Sequence, residues 1–208
     1  MCNLYCMTKN KDEVAAWFDA VNEVGGANFG GEVFPGYPGA VLVEGKLAQM
    51  SWGFPLVLKG KSGQPLKPKP VNNARTDKLD GFFWRDSFVN RRCLIPVTAW
   101  AEAEGPKGGK TRSWFARPDA ELFAVAGVWR ESAEWGRCYS MVMTDSAGLA
   151  AQVHDRMPVL LRRADHAVWT QGDPQEAKAL CTAWPGELTL DRSDQPWAGG
   201  AAKTQRLL

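Results

Sequence analysis

Residues 122–129 read LFAVAGVW, and residues 138–144 read CYSMVMT. Both runs are mostly apolar and are bounded by charged, glycine or proline residues, which is the pattern of buried strands. Residues 113–117, SWFAR, precede them and predict a third strand in the same way. Three successive strands with no helical periodicity between them favour an antiparallel sheet at the centre of the fold.

Further short elements are predicted on both sides of this group of strands. The predicted strands are residues 40–43, residues 48–54, residues 93–96 and the segment around Leu160. The predicted helices are residues 11–22, 84–90, 164–170 and 174–180. The first of them has apolar residues at helical spacing, and Asn10 with Glu13 can form its capping box. The glycine- and proline-rich stretch 25–39 is predicted to be a loop.

The size and composition of the chain are those of a globular protein. It has 208 residues, of which 45% are hydrophobic and 23% charged, which is enough apolar material for a sizeable core. We expect one domain over residues 1–208, with a peripheral segment after about residue 185. Because strands predominate and cluster, the predicted class is α+β, with a curved, mostly antiparallel β-sheet or barrel-like core flanked by short helices.

The charge balance restricts the kinds of partner that the chain can have. Lys and Arg total 25 against 23 Asp and Glu, a net charge of +2, so any contact with nucleic acid must be local. The longest apolar run is too short to span a bilayer, and no basic segment leads into an apolar one at the N-terminus. We therefore expect a cytoplasmic monomer, associated with the nucleoid if bacterial, with no membrane partner.

The cysteines and histidines do not fit a metal centre. Five cysteines occur without a CxxC spacing, at positions 2, 6, 93, 138 and 181. Such a set argues against a disulfide framework and a zinc ribbon. With only two histidines, at 154 and 166, we expect neither a metal nor another cofactor.

Cys2 is the most informative single residue. Removal of Met1 would leave a thiol and a free α-amine on one residue, with reference pKa values of roughly 8.5 and 7.7–8.0. An amine of this kind attacks an aldehyde to give an imine, and the neighbouring thiol closes the imine to a thiazolidine. On position alone, the alternative is that Cys2 packs as a small apolar residue.

Other motifs accompany Cys2 in a fixed order along the chain. They are Trp52-Gly53, Asn73-Ala74-Arg75, Glu102 shortly after the segment 92–96, and His154-Asp155-Arg156-Met157-Pro158. In this order they resemble the SOS response-associated peptidase (SRAP) family. The resemblance runs from Cys2 to about Trp169.

The resemblance implies an activity and a set of catalytic residues. It implies a sensor of abasic sites in single-stranded DNA that removes its own Met1 and crosslinks Cys2 to the ring-opened sugar aldehyde. It leaves a lyase activity open. In this reading Asn73 holds the amine or a sugar hydroxyl, Glu102 is an acid or base, and His154 protonates the ring oxygen or shuttles protons.

The same resemblance suggests which residues contact DNA. Arg75 and Arg156 lie next to two of the proposed catalytic residues and could each grip a phosphate. Trp52 could stack on a base beside the lesion, with Gly53 allowing close approach.

Two features depart from the family pattern. The chain has Asn3-Leu4 where many members have Gly-Arg, and alanines flank Glu102 where aromatic residues are common. Two other functions also fit the residues: an N-terminal cysteine nucleophile hydrolase that cleaves amides or peptides, and a non-catalytic nucleic-acid-binding module in which Cys2 is incidental.

Overall fold

The computed structural model describes residues 2–25 and 31–197. In this part of the chain there are sixteen strands: β1 (Leu4–Met7), β2 (Val21–Asn22), β3 (Gly31–Val33), β4 (Pro38–Val43), β5 (Lys46–Trp52), β6 (Phe54–Leu56), β7 (Lys69–Val71), β8 (Asn73–Arg75), β9 (Arg92–Val97), β10 (Ala99–Glu104), β11 (Thr111–Ala116), β12 (Phe123–Ser132), β13 (Gly136–Asp145), β14 (Arg156–Pro158), β15 (Leu160–Leu161) and β16 (Thr189–Pro196). The helices are α1 (Lys11–Phe18), α2 (Arg85–Asn90), α3 (His166–Gln171) and α4 (Pro174–Ala179), with 3-10 turns at Thr76–Lys78, Ala150–Gln152 and Arg163–Asp165.

The strands form two large sheets and one small one. The five-stranded sheet has the order β16-β11-β10-β1-β3. The nine-stranded sheet has the order β14-β13-β12-β9-β4-β5-β2, with β15 beside β12 and β8 beside β13, and β6 pairs with β7. The pairings of β13 with β5, β13 with β8 and β2 with β5 are parallel, and the others are antiparallel. The predicted α+β class, mostly antiparallel with short flanking helices, is confirmed.

The two large sheets are joined through one continuous stretch of chain and a shared core. β9 and β10 follow one another across Thr98, so the chain passes directly from the nine-stranded sheet into the five-stranded one. Trp100 of β10 stacks on Phe115 of β11 at 5.2 Å and meets Phe123 of β12 edge-on at 6.2 Å. All three rings are buried, and each contributes about 1.5–3 kcal/mol through burial of its apolar surface.

The first helix is shorter than its periodicity indicates. The capping box is confirmed, since the Asn10 side chain accepts from the N–H groups of Asp12 and Glu13, and Glu13 accepts from Asn10 N–H. The predicted end at residue 22 is wrong. The helix stops at Phe18 because Asp19 adopts a left-handed conformation, φ 54°, and residues 21–22 form β2 beside β5.

Two other predicted boundaries are also wrong. Of the loop expected over residues 25–39, residues 26–30 lie outside the described part, while residues 31–33 and 38–39 belong to β3 and β4. The strand predicted over 48–54 is divided into β5 and β6 at Gly53, whose φ is +117°. A Cβ at this position would lie 2.5 Å from Cβ of Pro70, so the break requires glycine.

The other predicted elements are found at their predicted places, within three residues at each end. Past residue 185, β16 forms the edge strand of the five-stranded sheet through its pairing with β11. The described helices include none with the length and apolar character needed to cross a membrane.

Candidate active site around Cys2

The two large sheets meet at Cys2. Cys2 precedes β1 of the five-stranded sheet, whose Leu4 lies opposite Ala101 of β10. Antiparallel pairing from that register brings the start of β1 to the part of β10 that holds Glu102. On the other side, Cys2 contacts Asn73 at the start of β8. The site is therefore assembled from strands far apart in the sequence.

Two neighbouring asparagines hold the main chain of Cys2. Nδ2 of Asn72 and Nδ2 of Asn73 each donate to the carbonyl oxygen of Cys2 at 2.8 Å. Asn72 Nδ2 also lies 3.0 Å from Oδ1 of Asn3. Both asparagines are more than nine-tenths buried, and Oδ1 of Asn73 accepts no hydrogen bond from the described residues. That buried acceptor is available to an N–H or O–H of a substrate.

The thiol of Cys2 is fully buried and stays protonated. Its side chain has no solvent exposure, and Sγ lies 3.4 Å from the carbonyl oxygen of Leu4. Burial raises the pKa of the thiol far above its usual range, and the nearby charge of Glu102 raises the pKa further. Since the thiolate is the nucleophilic form, this sulfur is a weak nucleophile toward an unactivated carbonyl.

Glu102 is a buried carboxyl group beside Cys2. Its side chain lies in the middle of β10 and the residue is 2% exposed. Burial raises the pKa of Glu102 from 4.5 to about 7, with Asp155 raising it and Lys110 lowering it by smaller amounts. Near neutral pH both protonation states are populated, which suits a general acid or base.

His154 belongs to the same electrostatic environment. Burial lowers the pKa of His154, while Asp155 raises it and Lys110 lowers it. The ring is therefore mainly neutral at pH 7. Its Nδ1 lies 3.0 Å from the N–H of Arg156 and 2.8 Å from Oδ1 of Asp155. The charges of Asp155 and Lys110 act on both Glu102 and His154, so these two predicted catalytic residues share one electrostatic environment.

Trp52 and Gly53 lie behind the site rather than on its surface. Trp52 is fully buried, with Tyr5 edge-on at 5.0 Å and Tyr139 stacked at 6.5 Å. Its Nε1 donates to the carbonyl oxygen of Asn72 at 3.0 Å. The predicted stacking on a DNA base does not fit this position, because no face of the indole is open. Trp52 instead positions Asn72, and the glycine at 53 is needed for packing on Pro70.

Arg75 and Arg156 each lie two residues after a predicted catalytic residue. Because alternate residues of a strand share a face, Arg75 lies on the same face of β8 as Asn73. The strands β8 and β14 flank β13, so they are roughly 10 Å apart. Arg75 pairs with Asp77 and Arg156 with Asp145, both at 2.8 Å. A phosphate would have to compete with these carboxylates.

Sequence reasoning missed several residues of the site. Asn72, which donates to Cys2 and also to Asn3, was not predicted, and neither was Asn3. The hydroxyl groups of Tyr5 and Tyr139, 2.5 Å apart in the core, were missed as well. The doubled asparagine of Val71-Asn72-Asn73-Ala74 was the one available signal. Within residues 2–25 and 31–197, no cluster of His, Cys, Asp or Glu side chains could hold a metal ion.

Comparison with known proteins gives a family and a fold. The family model described as SOS response associated peptidase (SRAP) matches residues 1–193. A solved protein from Bacteroides thetaiotaomicron superposes with a TM-score of 0.76 at 17% identity, covering 92% of this chain and 91% of that one. A protein from Bordetella bronchiseptica gives 0.76 at 21% identity, covering 92% and 99%. A phage-related protein from the same organism gives 0.66 at 21% identity, covering 93% and 95%. No curated protein matches the chain.

Proposed function

The chain belongs to the SOS response-associated peptidase family, and we propose that it forms a covalent link to abasic sites in single-stranded DNA through Cys2. The reaction requires the free α-amine of Cys2, so hydrolysis of the Met1–Cys2 peptide bond comes first and consumes one water. The family name associates such proteins with the SOS response to DNA damage.

The proposed chemistry has three steps. The amine of Cys2 adds to the aldehyde carbon of the ring-opened sugar and gives a carbinolamine. The carbinolamine loses one water and becomes an imine. The thiol of Cys2 then adds to the imine carbon, its proton passing to nitrogen, and closes a thiazolidine ring. The net change is the loss of one water from the two reactants.

The observation that carries this proposal is a fully buried thiol at Cys2 near the buried carboxyl group of Glu102, whose pKa burial raises to about 7. A hydrolase that attacks an amide through sulfur needs a thiolate, and the environment of Cys2 disfavours one. Imine chemistry begins with nitrogen and uses sulfur last, when the carbon is already activated and the thiol is held beside it. The partly protonated Glu102 can supply the proton that the departing water requires.

His154 and Asn73 have complementary roles in the proposal. Because Nδ1 of His154 accepts from Arg156 N–H, a neutral ring carries its proton on Nε2. His154 gives this proton to the ring oxygen as the sugar opens and takes up the proton of the anomeric hydroxyl. The amide of Asn73 fixes the main chain of Cys2 on one side. Its buried Oδ1 is an acceptor for the Cys2 amine or for a sugar hydroxyl.

Single strands are the preferred substrate in this account. A sugar aldehyde reaches a buried amine only when its nucleotide is turned out of the stack, which costs a few kcal/mol in a duplex. Arg75 and Arg156, roughly two strand spacings apart, would hold phosphates on either side of the turned-out nucleotide. A short, bent strand satisfies this geometry with few contacts.

The test compares three single-stranded oligonucleotides of one sequence. The first carries an abasic site, the second carries the same site reduced to an alcohol, and the third is undamaged. The proposal expects an adduct that survives denaturing electrophoresis with the first strand alone. Equal reversible binding to all three with no adduct would support a non-catalytic binding module. Turnover of peptide or amide substrates without an adduct would support the hydrolase.

A further inference from the structure

A two-stranded hairpin projects from the site, and its surface is both basic and apolar. We call residues 54–71 the basic arm. Its base is the pairing of β6 with β7, with Phe54 opposite Val71 and Leu56 opposite Lys69. The pairing continues outward, because Leu66 N–H donates to Leu58 C=O at 2.8 Å and Gly60 N–H donates to Gln64 C=O at 2.7 Å. The arm is therefore an ordered element with a turn at its tip.

The charge of the basic arm is all of one sign. It contains four exposed lysines and no carboxylate, and no Asp or Glu occurs anywhere from residue 45 to residue 76. The lysines are Lys59, Lys61, Lys67 and Lys69. None of them takes part in an ion pair with the described residues. Since the whole chain has a net charge of +2, the chain outside the arm is net negative.

The same arm exposes aliphatic side chains. Leu56, Val57, Leu58 and Leu66 are 37–44% exposed. The run 56–58 directly precedes Lys59, and Leu66 directly precedes Lys67. Such a mixture of ammonium groups and aliphatic surface suits a single-stranded nucleic acid, whose phosphates and bases lie side by side. An acidic protein would satisfy the lysines as well, but the position of the arm between Trp52-Gly53 and Asn72-Asn73 favours the DNA strand that reaches Cys2.

The base of the arm is built into the active site. Its first strand follows Trp52-Gly53 and its last strand leads into Asn72-Asn73, the pair that holds Cys2. Gly53 packs on Pro70, and Ser140 Oγ donates to the Val71 carbonyl at 2.6 Å. The base of the arm therefore adjoins the two asparagines that hold Cys2.

We propose that the basic arm binds the backbone of the DNA strand on one side of the reacting nucleotide. The lysines contact phosphates, and the aliphatic side chains cover sugars or base faces. This inference rests on the proposed function, because it takes the strand at Cys2 as its starting point. The arm adds a DNA-binding surface that Arg75 and Arg156 do not provide. Because the arm contacts the strand on one side of the abasic site only, DNA on that side is bound more tightly than DNA on the other side.

The experiment measures reversible binding of undamaged single-stranded DNA as a function of salt. Each lysine that contacts a phosphate contributes about 0.7 to the slope of log K against log salt for single strands. Replacing Lys59, Lys61, Lys67 and Lys69 by Gln should therefore lower the slope by up to about 2.8. Replacing the same four by Arg should preserve it. A matched control replaces Lys9, Lys11, Lys46 and Lys178 by Gln, which removes the same charge elsewhere on the surface.

A second measurement uses strands in which the abasic site lies near one end or near the other. The parent should react faster, at low DNA concentration, with the strand whose longer flank lies along the arm. The arm variant should lose this preference and keep the parent's rate at saturating DNA. If the arm variant and the control variant have equal slopes and equal end preference, the inference is overturned. If the parent forms no adduct at all, the proposed function fails, and the salt slopes still decide whether the arm binds DNA.

Discussion

The side-chain amide of Asn73 lies 2.8 Å from the carbonyl oxygen of Cys2. The two residues are 71 positions apart in the chain. Cys2 precedes β1 of the five-stranded sheet, and Asn73 begins β8 of the nine-stranded sheet. This hydrogen bond, together with the matching one from Asn72, fixes the backbone of the reacting residue while leaving its nitrogen and sulfur unengaged by either amide. The position of the nucleophile is thus set by two neutral donors that do not titrate.

The first prediction concerns these donors. Asn73→Asp keeps the size of the side chain but replaces a donor by an acceptor facing the carbonyl of Cys2. It should slow adduct formation by about 10²-fold, since small misplacements of reacting groups have effects of this size. Asn3→Ala is the control, because it removes one contact to Asn72 and leaves both bonds to Cys2. The rates are measured from crosslinking reactions at saturating DNA that are quenched at a series of times. Equal rates for the three proteins would remove Asn73 from the positioning role.

The second prediction concerns the stability conferred by Glu102. Its pKa is raised on folding from 4.5 to about 7, so the folded state binds a proton more tightly than the unfolded state. The unfolding free energy should fall as pH rises from about 4.5 to about 7, by up to about 3 kcal/mol, and stay low above that. The unfolding free energy of Glu102→Gln should not fall over this pH range, so this variant should be more stable than the parent at pH 8. Urea denaturation across this pH range measures the difference. Parallel pH curves for the two proteins would contradict the raised pKa.

The third prediction concerns the pH dependence of the reaction. Protonated Glu102 is proposed to supply the proton for water loss, so the rate should decline as pH rises through about 7. Glu102→Gln should lose this limb of the profile and react about 10²–10⁴-fold more slowly at its optimum. At lower pH the rate should rise with pH as the Cys2 amine loses its proton, and this part of the profile should remain in both proteins. A falling limb that persists unchanged in Glu102→Gln would assign it to another group.

The fourth prediction concerns the phosphate contacts. Arg75 and Arg156 are paired with Asp77 and Asp145, which compete with phosphate. Arg75→Ala should weaken binding of single-stranded DNA and reduce the salt slope by about 0.7. Asp77→Asn should strengthen binding, because it removes the competitor and leaves the arginine in place. The matching pair of variants at Arg156 and Asp145 repeats the test. Binding that is unaffected in all four variants would exclude this path for the strand.

The sequence predicts the framework of the fold well because that framework depends on local patterns. The apolar runs of β12 and β13 and the capping box of α1 are visible in single stretches of the chain. The end of α1 was missed because it depends on the left-handed backbone of Asp19 and on the pairing of β2 with β5. Both are set by tertiary contacts.

The candidate site could be predicted only in part, for a related reason. The order of the motifs identified Cys2, Asn73, Glu102 and His154, but burial decides how such residues act. Neither the burial of Glu102 between strands nor the position of Trp52 behind the site can be read from sequence. Asn72 was missed because an asparagine beside a motif is indistinguishable from a turn residue until its amide is placed on the Cys2 carbonyl.

The fifth prediction concerns the separate roles of the amine and the thiol of Cys2. Cys2→Ala keeps an α-amine after loss of Met1 but has no sulfur to close the ring. It should form an imine that is trapped by borohydride and reverses without it, whereas the parent adduct should resist heat with no reductant. A stable adduct of the alanine variant, equal in yield to that of the parent, would contradict closure of a thiazolidine.

The most direct measurement is the intact mass of the protein before and after mixing with an abasic single strand. The account predicts a starting mass that lacks Met1 and a product whose mass is the sum of protein and oligonucleotide less one water. The product should be absent with the reduced abasic strand. Protein confirmed to begin at Cys2 that shows only its own unchanged mass after reaction would contradict the proposal that this chain crosslinks to abasic DNA.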